Sequence, residues 1–529
     1  MNEFCKRVTL TLAAILIALP LTAATPTLGK DALRKLVRLP SITFQPSWTY
    51  DPESGFVMGS AIEDFTREIT SVRESLKDNP NDAGKFLRLA ELYAATHDDE
   101  NARKSSLRAV ELYRDLAKSQ SDDADVLTSF GSALRLSDKM SEAESVLRKA
   151  VQLAPKNWHC RVALGRLLDA EARRAIYDRP PLAPERPTSV EVTLAQQRLS
   201  EAGDNFELAV TSATNEPEAY FRRGMHRCLR ATLSRQIRVA QGEEISDVDL
   251  ADSAFSPDTL ADLQRASELS PRDYSRIGGT AIFGIFTACE HRGVVDWSEV
   301  SWNSLPDKTQ RSLHDAITRL ENLGQDSDPH VASGALEVLG ILQGPMLHET
   351  QSCISTLRRA VTLDASREQA LEVLVSTLAH AGRYDELLSV CEDRVKQKDS
   401  ERSHMLLAKA YEKLQQWDDA ESELLEVLRQ SPNNFPASLG VAAAILRRSN
   451  ADGDGLPEAN SWLSRAEALL GQMPALERNQ QLVIDLTLIR SIYFALTDDL
   501  DSARQWAQAV LKTDGNNKLA REILSAMDY

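Results

Sequence analysis

The sequence predicts an all-α protein built as a solenoid of helix–turn–helix units. Its 529 residues are too many for one ordinary globular core, whereas a solenoid lengthens freely because each unit packs only on its neighbours. Aromatic residues make up only 6% of the chain, and no long alternation of β-branched residues indicates a sheet. A fixed spacing of small and apolar residues also recurs along the chain, which is typical of a repeat architecture.

The recurring spacing is clearest in two places. In the C-terminal half it reads Leu407, Ala408, Tyr411, Trp417, Ala420, Leu424, Val427 and Pro432. In residues 124–157 it reads Phe130, Gly131, Leu134, Ala143, Leu147, Ala150 and Pro155. Gly131 and Gly165 are 34 residues apart, and so are Ala408 and Ala442.

Each position in this spacing has a packing role. Small residues such as Gly131 and Ala408 allow two helices to approach closely, and large apolar residues three or four positions away fill the remaining space. Pro155 and Pro432 end the second helix of a pair. The pattern resembles the tetratricopeptide repeat, a helix–turn–helix unit of about 34 residues. The resemblance implies a right-handed superhelix whose concave surface is lined by the first helix of each pair.

Three interruptions divide the repeats. The predicted divisions are an N-terminal array over 61–292 with insertions near 177–201 and 236–258, a region at 293–328, and a C-terminal array over 329–529 with a capping helix at 518–527. The region at 293–328 is either a degenerate repeat or the joint between two arrays. We expect the surplus residues to lengthen helices as well as loops.

The first 24 residues have the form of a secretory signal peptide. Lys6 and Arg7 precede an apolar run, and small residues follow at Ala23 and Ala24, near which we expect cleavage. An uncleaved anchor is the secondary alternative, because the apolar run is shorter than the ~20 residues of a membrane span. We therefore expect export to a periplasm or the exterior, without stable membrane insertion after cleavage. Residues 25–60 are expected to be an extended leader or linker.

Charge and cysteine content exclude some classes of function. The net charge of −17 disfavours nucleic acid as a partner, because phosphate groups would be repelled. Beyond the signal segment the cysteines are widely spaced and odd in number, which does not favour a disulfide framework. We interpret them as small buried residues. They are Cys160, Cys228, Cys289, Cys353 and Cys391.

The sequence predicts no catalytic residue, no cofactor site and no metal site. His348 and Glu349 lack the second histidine of a zinc-protease helix, and no P-loop or nucleophile-elbow spacing occurs. Residues 450–455 resemble the start of a calcium loop, but Ser461 stands where the bidentate carboxylate is needed. A solvated linker is the preferred interpretation of that stretch, with weak calcium binding as the alternative.

A basic stripe is the first candidate binding surface. If the resemblance holds, five residues of the C-terminal array face its concave surface: Arg402, Met405, Lys409, Lys413 and Arg447. Such a stripe in an acidic protein would hold an acidic peptide. A solvated charged face is the alternative interpretation.

An arginine-rich helix at 217–241 is the second candidate. Arg223, Arg227 and Arg230 would bind an anionic partner, and a strongly acidic segment follows at 243–258. That segment either neutralises the helix internally or masks its binding site.

These observations predict a non-catalytic scaffold that binds a protein or peptide through the concave surface. The first alternative is a subunit of an envelope assembly complex. The second is a hydrolase or glycan-processing factor with an unrecognised site in 293–328 or in the insertions. The sequence indicates no oligomeric state.

Overall fold

The computed structural model of the chain describes residues 30–40, 48–51, 55–177, 187–241, 255–290, 300–449, 453–473 and 480–527. The signal peptide expected at 1–24 lies outside these residues. Within them the fold is all-α apart from one antiparallel hairpin, in which β1 (Trp48–Asp51) pairs with β2 (Gly55–Met58) and Trp48 stands opposite Met58.

The described residues form 23 α-helices. The first twelve are α1 (Lys30–Leu36), α2 (Gly59–Asp78), α3 (Ala83–Ala95), α4 (Asp99–Ser119), α5 (Ala124–Leu136), α6 (Met140–Leu153), α7 (Trp158–Ile176), α8 (Ser189–Ser212), α9 (Pro217–Ala240), α10 (Pro257–Leu269), α11 (Tyr274–Glu290) and α12 (Asp307–Leu323). The others are α13 (Pro329–Ile341), α14 (Thr350–Leu363), α15 (Glu368–His380), α16 (Tyr384–Gln397), α17 (Glu401–Leu414), α18 (Trp417–Gln430), α19 (Phe435–Arg448), α20 (Leu456–Gln472), α21 (Gln480–Leu496), α22 (Leu500–Thr513) and α23 (Lys518–Met527). A 3-10 turn covers Trp302–Ser304, and a π-helical turn follows α13 at Leu342–Met346.

Polar caps determine where many of these helices begin. Asp82, Asp123 and Asn157 each accept a hydrogen bond from a backbone N–H in the first turn of α3, α5 and α7. Such caps satisfy amide groups that have no partner inside the helix. At α8, Thr188 and Glu191 form a reciprocal capping box.

The helices pack as consecutive pairs, including α5 with α6, α7 with α8, α13 with α14 and α17 with α18. A Cβ atom added at Gly131 would overlap the Leu147 side chain, and one added at Gly165 would overlap the ring of Phe206. Gly340 faces Leu357 in the same way. The small residues of the repeat therefore mark the points of closest approach between paired helices.

The described residues belong to two compact units. The first contains residues 48–373, and the second contains residues 30–40 together with 374–527. The division falls within α15. The two alternatives for 293–328, a degenerate repeat or the joint between two arrays, stay predictions. In the described part of that region α12 packs on α11 and α13, because Leu313, Ala316 and Leu320 give it a buried apolar face.

The prediction of an extended leader over 25–60 was wrong for its described parts. Residues 30–36 are helical, and residues 48–58 contain the hairpin. Leu33 and Val37 lie one helical turn apart and are both buried. An apolar face of this kind folds when another surface covers it.

The lengthened helices occur where the surplus residues were expected. Helix α7 has 19 residues, and α8 and α9 have 24 each. The rest of the two predicted insertions, at 178–186 and 242–254, lies outside the described residues. All five cysteines of the described ranges are buried and none of them forms a disulfide, which confirms their interpretation as packing residues. In the described parts of the chain, the helices are too short or too polar for any of them to span a bilayer.

Replacement of Gly131 by alanine is expected to lower the unfolding free energy of the first unit. The added methyl group must displace Leu147, and overpacking of this kind costs about 1–3 kcal/mol. This exceeds the ~1 kcal/mol that alanine gains over glycine in a helix. Urea denaturation measures the change. Gly284→Ala in α11 is the matched control, because its new Cβ would meet nothing nearer than 3.8 Å; equal effects of the two substitutions would contradict the prediction.

Candidate functional site

The second unit contains a surface on which another part of the same chain lies. We define the C-terminal groove as the surface formed by α17, α19, α21 and α23. The tail segment, residues 30–40, consists of α1 and the four non-helical residues that follow it. Helix α1 contacts α19, α21 and α23, and Leu39 forms hydrogen bonds with α17.

Apolar side chains of the tail segment are buried in the groove. Leu33, Val37 and Leu39 are 5%, 0% and 4% exposed, and they belong to one apolar core with Ala442 and Ile445 of α19. Complete burial of a valine or leucine side chain is worth roughly 1.5–3 kcal/mol. These residues therefore supply most of the attraction between the segment and the groove.

Two side chains of α17 hold the main chain of the segment. The Lys409 Nζ donates a hydrogen bond to the Leu39 carbonyl oxygen at 2.8 Å, and the Leu39 N–H donates to the Glu412 Oε1 at 2.9 Å. Lys409 and Glu412 also form an ion pair with an N–O distance of 3.1 Å. Residues three apart share one face of a helix, so α17 presents a donor and an acceptor side by side. We call this pair the main-chain clamp.

Polar contacts fix the other end of the segment. The Arg34 Nε donates to the Ser449 Oγ at 3.1 Å in a buried position. Lys30 and Asp498 form an ion pair with an N–O distance of 2.7 Å. Because the Lys30–Asp498 pair is exposed, it contributes little to stability.

The five predicted groove residues have different environments. Lys409 belongs to the clamp, and Met405 packs against the apolar core. The Arg447 guanidinium lies 5.4 Å from the ring centroid of Trp417, whereas Arg402 and Lys413 are exposed. The sequence analysis missed Glu412, because a carboxylate that accepts from a distant main-chain amide has no local signature.

The first unit encloses a charged cavity of about 760 Å³. Its walls come mainly from α3, α7, α9 and α11. Glu218 lies within 2.6 Å of Arg222 and 3.3 Å of Arg276, and Phe221 packs beneath both guanidinium groups. Burial alone would raise the pKa of Glu218, but the charges of Arg222, Arg276 and Arg166 outweigh it and lower this pKa to about 2. The carboxylate therefore stays ionised and neutralises part of the arginine charge.

The arginine-rich helix is α9, and two of its three candidate residues are already paired. Arg223 contacts Asp262 at 2.5 Å and Glu207 at 2.7 Å. Arg227 contacts the same two carboxylates at 2.8 and 3.0 Å, and Arg230 is exposed. The carboxylates come from α8 and α10, so neutralisation occurs between neighbouring helices.

A comparison with sequence families matches residues 124–157 to the tetratricopeptide repeat. These residues form α5, α6 and the turn between them. The chain therefore contains a tetratricopeptide repeat at residues 124–157. The repeat fold indicates a scaffold for protein–protein interaction, and such scaffolds are typically non-catalytic.

No curated protein sequence matches the chain. Similar solved structures include yeast Tom70, with 13% identity, coverage of 88% of this chain and 91% of that chain, and a TM-score of 0.35. A tetratricopeptide repeat protein from Parabacteroides merdae has 12% identity, coverage of 57% and 99%, and a TM-score of 0.34. The C-terminal part of a TPR repeat-containing protein from Cytophaga hutchinsonii has 15% identity, coverage of 62% and 95%, and a TM-score of 0.30. Scores this low carry no inference about partner or activity.

A buried charged cluster around Arg367 joins α2, α11 and α13 within the first unit. Arg367 is 1% exposed. Its Nη2 lies 3.2 Å from both the Asp64 Oδ1 on α2 and the Tyr274 hydroxyl on α11, and 2.9 Å from the His330 carbonyl oxygen on α13. Burial, together with the Asp64 carboxylate, raises the pKa of Tyr274. These groups pair with one another across more than 200 residues of sequence. We therefore infer that the cluster stabilises the packing of distant helices.

His404 positions the helix that carries the clamp. Its Nδ1 lies 2.5 Å from Glu423 on α18, and its Nε2 lies 3.0 Å from Asp399. Burial lowers the pKa of His404, but the hydrogen bonds to Glu423 and Asp399 outweigh it and raise this pKa above its usual value. Asp399, His404 and Glu426 are also close enough to share a metal ion, although both ring nitrogens already contact carboxylates.

The second unit is expected to lose stability as the pH rises above about 6.5, the usual pKa of histidine. A group with a raised folded-state pKa contributes its full stability below its unfolded pKa, near 6.5, and loses it as the pH rises through the folded value. Neutral His404 donates from only one ring nitrogen, so one of its two carboxylate contacts is lost. The midpoint of thermal unfolding measured at several pH values tests this. His404→Gln should flatten the dependence, whereas His380→Gln, at an exposed site of the same unit, should leave it unchanged.

Proposed function

We propose that this protein binds an extended segment of a partner protein in the C-terminal groove and performs no chemistry itself. The observation that supports the proposal is the tail segment, a stretch of the same chain that lies in the groove. Residues 37–40 leave the helix, and Leu39 presents its main chain to Lys409 and Glu412.

The main-chain clamp can bind a peptide of any sequence. Every peptide has an N–H and a carbonyl group, so Lys409 and Glu412 do not depend on the identity of the residue they hold. A hydrogen bond to a charged group is worth about 1.5–3 kcal/mol. The clamp therefore provides affinity, while neighbouring apolar pockets provide selectivity.

The groove is suited to binding because its supporting helices are rigidly packed. Residues 437–446 of α19 are buried throughout, and α17 is fixed to α18 by His404 and Glu423. A preformed surface loses little conformational freedom when a ligand binds. This supports a binding role in which α17 and α19 keep their conformation when a ligand binds.

We also propose that the chain is exported and that its signal peptide is removed near Ala23 or Ala24. The support is the basic and apolar pattern of the first residues. Expression in the native cell, followed by fractionation and N-terminal sequencing, tests this. A cytoplasmic chain that retains Met1 would overturn the export proposal and leave the groove proposal intact.

Peptide binding is expected to depend on Lys409. In an open-groove chain, Val37→Asp with Leu39→Asp should release the tail segment, because two buried side chains become charged. A labelled peptide of residues 30–40 should then bind in trans, and Lys409→Met should weaken it about tenfold or more. Fluorescence anisotropy measures both affinities.

Lys396→Met is the matched control for this experiment. Lys396 is exposed on α16 and pairs with Asp393 three residues away, much as Lys409 pairs with Glu412. The control should leave affinity unchanged. Absence of peptide binding, or equal losses in the two variants, would overturn the proposal.

A further inference from the structure

The tail segment is basic, and the groove that holds it is also basic. Residues 30–40 contain Lys30, Arg34, Lys35 and Arg38 against a single acidic residue, Asp31. The predicted stripe on the groove contributes Arg402, Lys409, Lys413 and Arg447. Apart from the exposed Lys30–Asp498 pair, attraction between opposite charges therefore does not explain why the segment lies there.

Apolar burial and the main-chain clamp explain the docking instead. Val37 and Leu39 are buried on either side of Arg38, which is exposed. The clamp contacts the main chain of Leu39. None of these contacts requires a basic side chain between the two apolar residues.

Arg38 and Arg447 carry like charges, and the charge of Arg38 acts on the Arg447 guanidinium. Burial lowers the pKa of Arg447, and the positive charge of Arg38 lowers it further, against the opposing effect of Glu412. Within the described residues, the buried Nε of Arg447 has no hydrogen-bond partner. The Arg38 Nη1 donates to the carbonyl oxygens of Lys35 and Val37 in its own segment. A carboxylate in place of Arg38 would replace this repulsion by attraction to Arg447.

We infer that the C-terminal groove selects a partner segment in which an acidic residue stands between two apolar residues, and that such a segment displaces the resident tail. The inference rests on the proposed peptide-binding function of the groove and adds the chemistry of the partner. The two apolar residues occupy the sites of Val37 and Leu39, and the acidic residue faces Arg447. The resident tail satisfies the apolar sites and the clamp but leaves the Arg447 site unsatisfied.

The selectivity experiment compares three peptides on the open-groove chain. They are residues 30–40 unchanged, the same peptide with Arg38→Glu, and the same peptide with Lys35→Glu. Arg38→Glu should tighten binding about threefold to tenfold, because charge pairs near an interface tune affinity when they lie close together. Lys35→Glu makes the same change in net charge at another exposed site, so it should change affinity less than twofold.

Arg447→Met identifies the groove side chain responsible. In that background the advantage of the Arg38→Glu peptide should disappear, while the unchanged peptide binds at least as well as before. A double-mutant cycle isolates this pairwise effect from the effect of the change in the peptide's net charge. Persistence of the advantage without Arg447 would overturn the assignment of the acidic site.

Displacement is tested on the intact chain, which also serves if the open-groove chain does not fold. Hydrogen exchange of residues 30–40 should rise when the Arg38→Glu peptide is added at about millimolar concentration, comparable to the effective concentration of a tethered segment. The unchanged peptide should produce a smaller rise. Equal effects of the two peptides would overturn the acidic preference but leave groove binding intact, whereas no binding by any peptide would overturn the proposed function and this inference with it.

Discussion

In each helix pair of a solenoid, the first helix has an inner face that neighbouring repeats do not cover. This constraint applies to both units of the protein. Outer helices pack on one side and meet solvent on the other. Inner helices pack on both flanks, so their remaining face must carry polar groups or be covered by something else. The two units meet this requirement in different ways.

In the first unit charged side chains line the cavity between the helices. Glu218 and its arginine neighbours neutralise one another around the cavity, and Arg367 joins α2 to α11 and α13 through buried polar contacts. In the second unit the inner face of α19 is apolar and is covered by the tail segment. Removal of one charge of a pair in the first unit therefore leaves its partner without a counter-charge in a region of low dielectric constant. Removal of the tail segment from the second unit instead leaves an apolar surface that a partner can cover.

Local features were predictable from the sequence, and contacts between distant residues were not. The close approach of two helices at Gly131 was predicted because its position follows from the repeat spacing, and the structure shows that Gly131 faces Leu147. Leu39 and Glu412 are 373 residues apart and join through a main-chain group, which has no side-chain pattern to detect. One usable signal was present. Helix α19 is apolar on every side, so it required a cover that the repeat pattern alone did not supply.

The buried cysteines have a consequence for redox chemistry. Burial raises the pKa of Cys391 to about 12, so its thiol remains protonated and is a poor nucleophile. Burial likewise raises the pKa of Cys160. In the folded chain these thiols resist oxidation and disulfide exchange because oxidants cannot reach a reactive thiolate. Burial of the five cysteines in the described residues thus protects them from disulfide exchange while the chain is folded, and cross-linking through these sulfur atoms would report loss of the folded state.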